Sequence, residues 1–177
     1  MNGLRNRLAV CSIVLSTMLC LPQFVAAQRN EGTSVLHAAE AQKLLPDAVY
    51  YAGKSASTQL RNSAGVHFAD GSYTLAVLVD TSGYSTAIQQ KYQGYLLAET
   101  PLEFGGHRLV PGAYGFGFVG SRFLITDIGG HDVLATEATH DAQMNRPMPL
   151  QIAQSSAGSG FQLCSGRDCV TFRHAPR

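Results

Sequence analysis

Ser72-Tyr73-Thr74-Leu75-Ala76-Val77-Leu78-Val79-Asp80 reads as a β-strand, and the rest of the chain falls into place around it. Successive strand side chains alternate between two faces. Tyr73, Leu75, Val77 and Val79 therefore share one face, and Ser72, Thr74, Ala76, Leu78 and Asp80 share the other. That period of two, with one apolar face, is how a strand packs against a core. Further along, Tyr92 to Glu99 is apolar on both faces in places, which predicts a central strand. Leu102-Glu103-Phe104 and His107-Arg108-Leu109 then flank Gly105-Gly106, a two-residue hairpin signal. Pro111-Gly112 suits the centre of a type II turn. Strands follow at 113–119, 122–128, 132–139, 150–154, 161–164 and 169–173.

Turn pairs punctuate these runs at Asp70-Gly71, Gly105-Gly106, Pro111-Gly112, Gly120-Ser121, Gly129-Gly130 and Ser165-Gly166. Short strands with such spacing predict an all-β fold, an antiparallel β-sandwich or small β-barrel. Too few helical patterns exist to build a parallel α/β sheet. One short N-terminal helix is expected over Val35 to Leu45, capped by Ser34 and ended by Pro46. A single helical turn is expected from Thr86 to Gln90. An outer-membrane barrel would need sustained alternation over roughly ten residues per strand, and these strands are shorter.

The N-terminus reads as an export signal. Arg5 and Arg7 precede an apolar run from Leu8 to Leu21, and Val25-Ala26-Ala27 supplies small residues before Gln28. The expected organisation is a signal peptide at 1–27, an N-terminal segment with the helix at 28–48, and one β-domain at 49–177. Localisation is then periplasmic or secreted. The rival readings are a retained anchor and a lipoprotein, but Leu19 is bulky before Cys20. No later apolar run is long enough to span a membrane as a helix. Beyond residue 27, eleven Lys+Arg face twelve Asp+Glu, so nothing electrostatic favours nucleic acid or an anionic membrane.

Cys11 and Cys20 lie in the signal, which leaves Cys164 and Cys169. An even pair in an oxidising compartment predicts a disulfide across a hairpin. A redox pair would normally read Cys-x-x-Cys, and a zinc site would need two more ligands.

Gly112-Ala113-Tyr114-Gly115-Phe116-Gly117-Phe118-Val119 places Tyr114, Phe116 and Phe118 on one strand face and Ala113, Gly115 and Gly117 on the other. The aromatic face is either a platform for an apolar or carbohydrate ligand or part of the core. The glycine face admits a ring, a backbone or a ligand at close range. Tyr92 and Tyr95, with Tyr84, could rim such a pocket or sit half-buried in the sheet. The chain has no Trp, the commonest residue for stacking on sugars.

His67, His107, His131 and His140 are the candidate metal ligands, with Asp70, Asp132 and Asp141 nearby in sequence. No His-x-His or His-Glu-x-x-His spacing supports them, and neighbouring residues on a strand point to opposite faces. Gly83-Tyr84-Ser85-Thr86-Ala87 has the outline of a nucleophile elbow but lacks its α/β context. No cofactor is expected.

Leu60-Arg61-Asn62-Ser63-Ala64-Gly65-Val66, followed by Ala69-Asp70-Gly71, resembles stretches of uncharacterised exported bacterial β-proteins. His107-Arg108-Leu109-Val110-Pro111-Gly112-Ala113-Tyr114-Gly115 is similar to the turn and strand of a bacterial β-sandwich domain of unknown function. The resemblance implies export and an all-β fold, and carries no activity or site residues with it. The expected function is therefore a binding or structural role in the envelope or outside the cell. The partner would be a small apolar or carbohydrate ligand or an envelope protein. The alternative is a metal-dependent hydrolase or isomerase using the strand-end histidines.

Overall fold

A computed structural model describes residues 32–156, 158 and 160–175. The signal peptide expected at 1–27 lies outside the described residues. In chain order the elements are β1 (Ser34–Leu36), α1 (Ala38–Ala41), β2 (Ala48–Tyr51), β3 (Lys54–His67), β4 (Tyr73–Val79), α2 (Thr86–Lys91) and β5 (Gly94–Ala98). There follow β6 (Leu102–Phe104), β7 (His107–Leu109), β8 (Gly112–Val119), β9 (Arg122–Thr126), β10 (Asp132–Glu137) and β11 (Thr139–His140). The last are β12 (Gln151–Gln154), β13 (Phe161–Ser165) and β14 (Asp168–His174).

The strands form two antiparallel sheets, so the fold is an all-β sandwich. The first runs β1-β3-β4-β5-β8-β9-β10, with β2 on β3. The second runs β12-β13-β14-β6-β7, with β11 on β14. Alternation then sorts the side chains. Val66, Ala76, Leu96, Phe116, Phe123 and Ile125 from the first sheet meet Leu102, Phe104, Leu163, Val170 and Phe172 from the second. Burying such side chains stabilises by about 1.5–3 kcal/mol each. At the sandwich edges, β1 lies beside β12 and β10 beside β7.

The outer face of the first sheet is also covered. Leu75 and Val77 of β4 pack under Ala41 and Leu45 beside α1. Val79 packs with Val49, Tyr51, Tyr84 and Tyr92 under the β2–β3 hairpin and α2. So both faces of β4 are buried. The more apolar face expected to meet the main core lies outward under α1, and Thr74 and Ala76 turn inward. The rings of β8 and β9 occupy much of that inner space, and β4 supplies small residues beside them.

Several local signals map directly onto the structure. Gly105 and Gly106, at φ +53° and +84°, turn the β6–β7 hairpin with Phe104 opposite His107. β5 is central, between β4 and β8. Cys164 and Cys169 stand directly opposite each other on β13 and β14 and are bonded.

Three expectations change. The stretch Ser34–Leu36 is a strand paired with His67, Val66 and Gly65. The helix is a single turn that starts after His37, whose backbone N–H donates to Glu40 Oε2 at 3.1 Å. A sheet edge offered these residues backbone partners worth more than the few tenths of a kcal/mol per residue that helix propensity supplies. Gly112 begins β8 and has no positive φ, so Pro111-Gly112 is not a type II turn. The longest strand, β3, has no signal in the sequence. Lys54–His67 is made mostly of small and polar residues, and a bulge between Gln59 and Ser63 breaks its alternation.

Candidate functional site

Tyr114, Phe116 and Phe118 lie inside the sandwich, and Phe116 has 0% exposure. Phe116 and Phe118 pack on Phe123 with ring centroids 5.8 and 5.0 Å apart. Tyr114 donates its hydroxyl to the Val110 carbonyl at 2.8 Å. This face is core, and it offers no ring to a ligand.

The glycine face has a different partner. A Cβ on Gly115 would stand 2.6 Å from Tyr51 Cε2 and 2.8 Å from both Tyr92 Cδ2 and Thr126 Oγ1. A Cβ on Gly117 would meet the Lys91 carbonyl at the end of α2. The glycines thus admit a stacked tyrosine pair and a helix end. Tyr92 is fully buried there, Tyr84 edges onto both rings, and Tyr95 is half-buried beside them. Burial raises the phenol pKa of Tyr92, Tyr51 and Tyr95 above the ordinary value. Tyr92 is therefore closed off from solvent, and Tyr95 stands half-buried at the edge of the cluster.

The four candidate histidines sit apart. His67 ends β3 and stacks on Tyr73 at 4.4 Å. His107 is exposed at the start of β7 in the second sheet. His131 is exposed in the β9–β10 turn and bonds Asp127 at 3.0 Å through Nδ1. His140 bonds Asp168 at 2.7 Å, its neighbour across β11 and β14. Among the described residues no three His, Cys, Asp or Glu side chains gather as metal ligands.

Open space lies at one end of the sandwich, in a cleft of about 740 Å³. Phe68 and Phe161, core residues only 4% and 8% exposed, form its apolar floor, with rings 5.8 Å apart at 81°. The loop carrying Asp70 closes on itself, since Phe68 N–H donates to the Ser72 carbonyl and Ser72 N–H to Asp70 Oδ1. His174, at the end of β14, then reaches Asp70 Oδ2 at 3.6 Å and Thr100 Oγ1 at 2.7 Å through the same Nε2. Glu103 and Arg173 face each other across β6 and β14 and form an ion pair.

This group is not a hydrolytic relay. A relay needs the imidazole to hold its orienting carboxylate on one nitrogen and the nucleophile on the other. Here one nitrogen serves both, and Thr100 is fully buried. The arrangement instead holds His174 over the aromatic side of the cleft, 4.9 Å from the Phe68 ring.

Thr100, Glu103, Arg173 and His174 were absent from the sequence candidates. The one available signal was the polar ending Arg173-His174 of an otherwise apolar strand. Nothing in the sequence brings residue 70 to residue 174.

A second cleft of about 750 Å³ lies between the Gly105 turn, Arg122, β10 and β14. A smaller one of about 330 Å³ adjoins both. No family model, curated protein or solved structure matches this chain.

Proposed function

We propose that the protein is an exported binding domain, working in the periplasm or outside the cell. It holds a small ligand that presents an apolar face and hydroxyl groups, such as a sugar, in the cleft at the end of the sandwich. The observation that carries this reading is the cleft itself. Phe68 and Phe161 supply an apolar wall, and Asp70, His174, Glu103 and Arg173 supply fixed polar groups around it. Few convergent polar groups on an apolar cavity of this size is how small-molecule sites are built. The N-terminal signal pattern and the Cys164–Cys169 bond support export.

Native and denatured mass spectra of the protein, purified from the exported fraction, test this reading. The denatured mass should fit a chain starting at Gln28 and lacking two hydrogens. The native spectrum should carry extra organic mass, and Ala69→Trp should abolish it. Ala69 is exposed and lines the cleft, so a large side chain there blocks the space without entering the core. A bare native mass, with no uptake from a panel of monosaccharides and small aromatic compounds, would overturn the reading. Stoichiometric metal in place of organic mass would overturn it as well.

A further inference from the structure

The second sheet has a gap in its hydrogen bonding, and the three clefts run along it. On one side, β14 is paired with β13 from Asp168 to Phe172. On its other side, β11 covers Asp168 and Cys169, and β6 covers Phe172 to His174. Among the described residues neither ladder reaches Thr171.

The direction of its backbone groups follows from its neighbours. In an antiparallel strand, alternate residues aim N–H and C=O to the same side. The Arg167 carbonyl accepts from Asp141 N–H at 2.9 Å, and Ala175 N–H donates to the Pro101 carbonyl at 2.9 Å. Both bonds lie on the β11 and β6 side. Thr171 has the same parity, so its N–H and C=O point to that side as well. The ladders would place Gly105 or Glu137 opposite Thr171. The β6–β7 turn instead carries Gly105 against Thr136, and Ala138 N–H goes to the Ser121 carbonyl. Thr171 lines the second and the smallest cleft, and among the described residues neither the β11 nor the β6 ladder takes up its donor and acceptor.

Neighbouring clefts adjoin through shared lining residues. The first and the smallest share Glu103 and Arg173. The smallest and the second share Gly105 and Thr171. From Cys169 to His174 this path covers about 17 Å of strand. Arg122 also lines it, with no carboxylate partner among the described residues although Glu137 is opposite in register.

We infer that this path is an extended groove for a linear oligosaccharide, longer than a disaccharide, whose end unit occupies the Phe68–Phe161 cleft. The inference rests on the binding role proposed for that cleft. A vicinal diol has two adjacent oxygens, each both donor and acceptor, and so satisfies an N–H and a C=O together. Thr136, Thr171, Arg122 and Glu137 add the mixed donors and acceptors that hydroxyls require. An extended peptide fits less well. It would pair along a strand edge, and β14 offers a single open position between two occupied ladders.

Titration calorimetry with chito-, cello-, malto- and xylo-oligosaccharides, from disaccharide to hexasaccharide, tests the groove. For at least one series, affinity should rise roughly tenfold between the disaccharide and the tetrasaccharide. Thr171→Pro removes the N–H that no ladder uses. It should cost the longer chains roughly three- to tenfold and leave the disaccharide unchanged. Arg122→Ala should act the same way, and it keeps the test open if the proline variant fails to fold.

Disaccharide binding that is blocked by Ala69→Trp but shows no gain with length would overturn the groove and leave the cleft reading standing. A cleft that takes only non-sugar ligands would do the same, as would extended peptides binding where sugars do not. No ligand in the cleft at all would overturn both.

Discussion

Tyr51 stacks on Tyr92 with ring centroids 3.6 Å apart, and both rings lie against the bare backbone of Gly115. The stack fills the space that a side chain on β8 would take. Tyr51 also fixes its hydroxyl on Thr126 at 2.8 Å. This cluster joins the β2–β3 hairpin, α2 and β8 on the outer face of the first sheet.

Gly115→Ala should therefore destabilise the fold. The added carbon would press on Tyr51, Tyr92 and Thr126, and overpacking of this kind costs about 1–3 kcal/mol. Lower chain entropy in the unfolded state offsets about 0.4–1 kcal/mol of that. A thermal melt should show a clear drop in Tm, while Gly53→Ala, with open space around it, should report only the cost of its positive φ.

Tyr92→Phe should act in the opposite direction. The Tyr92 hydroxyl is buried with no hydrogen-bond partner among the described residues. A buried, unsatisfied donor costs about 1–3 kcal/mol, and the ring stack survives its removal. The denaturant midpoint should rise. A fall would show that the hydroxyl has a partner.

Stability should decline above pH 10. Burial raises the phenol pKa of Tyr92, Tyr51, Tyr84, Tyr95 and Tyr114. The folded chain holds these protons more tightly than the unfolded chain, whose phenols titrate near about 10. The stabilisation is complete below that pH and is lost as pH climbs towards the raised values. Phenolate absorbance from these tyrosines should appear together with the loss of tertiary signal. Free titration near pH 10 in a folded chain would contradict it.

Reduction of the Cys164–Cys169 bond should weaken the fold without abolishing it. The bond closes a ring with a sequence separation of only 5. Chain entropy then assigns it about 2 kcal/mol. Denaturant midpoints with and without reductant measure this directly, and outright unfolding on reduction would show that the second sheet depends on the bond.

The sequence by itself determined the local β code. The alternation from Tyr73 to Val79, the Gly105-Gly106 hairpin and the Cys164–Cys169 spacing each act within one or two adjacent strands, and each is realised in the structure. Such signals are legible because strand period and turn conformation are properties of neighbouring residues. Two kinds of information were not local. Which face of β4 met the main core depended on how much volume β8 and β9 had already filled. Whether Ser34–Leu36 became helix or strand depended on an open edge of β3 some thirty residues away. The cleft is the extreme case. Asp70, Thr100, Glu103 and His174 come from separate loops and strands, and only the closing of two sheets brings them to one place. The same closing buried Phe116 and, among the described residues, left Thr171 outside both the β6 and the β11 ladders. Side-chain volume and sheet topology made those choices, and no run of consecutive residues encodes either.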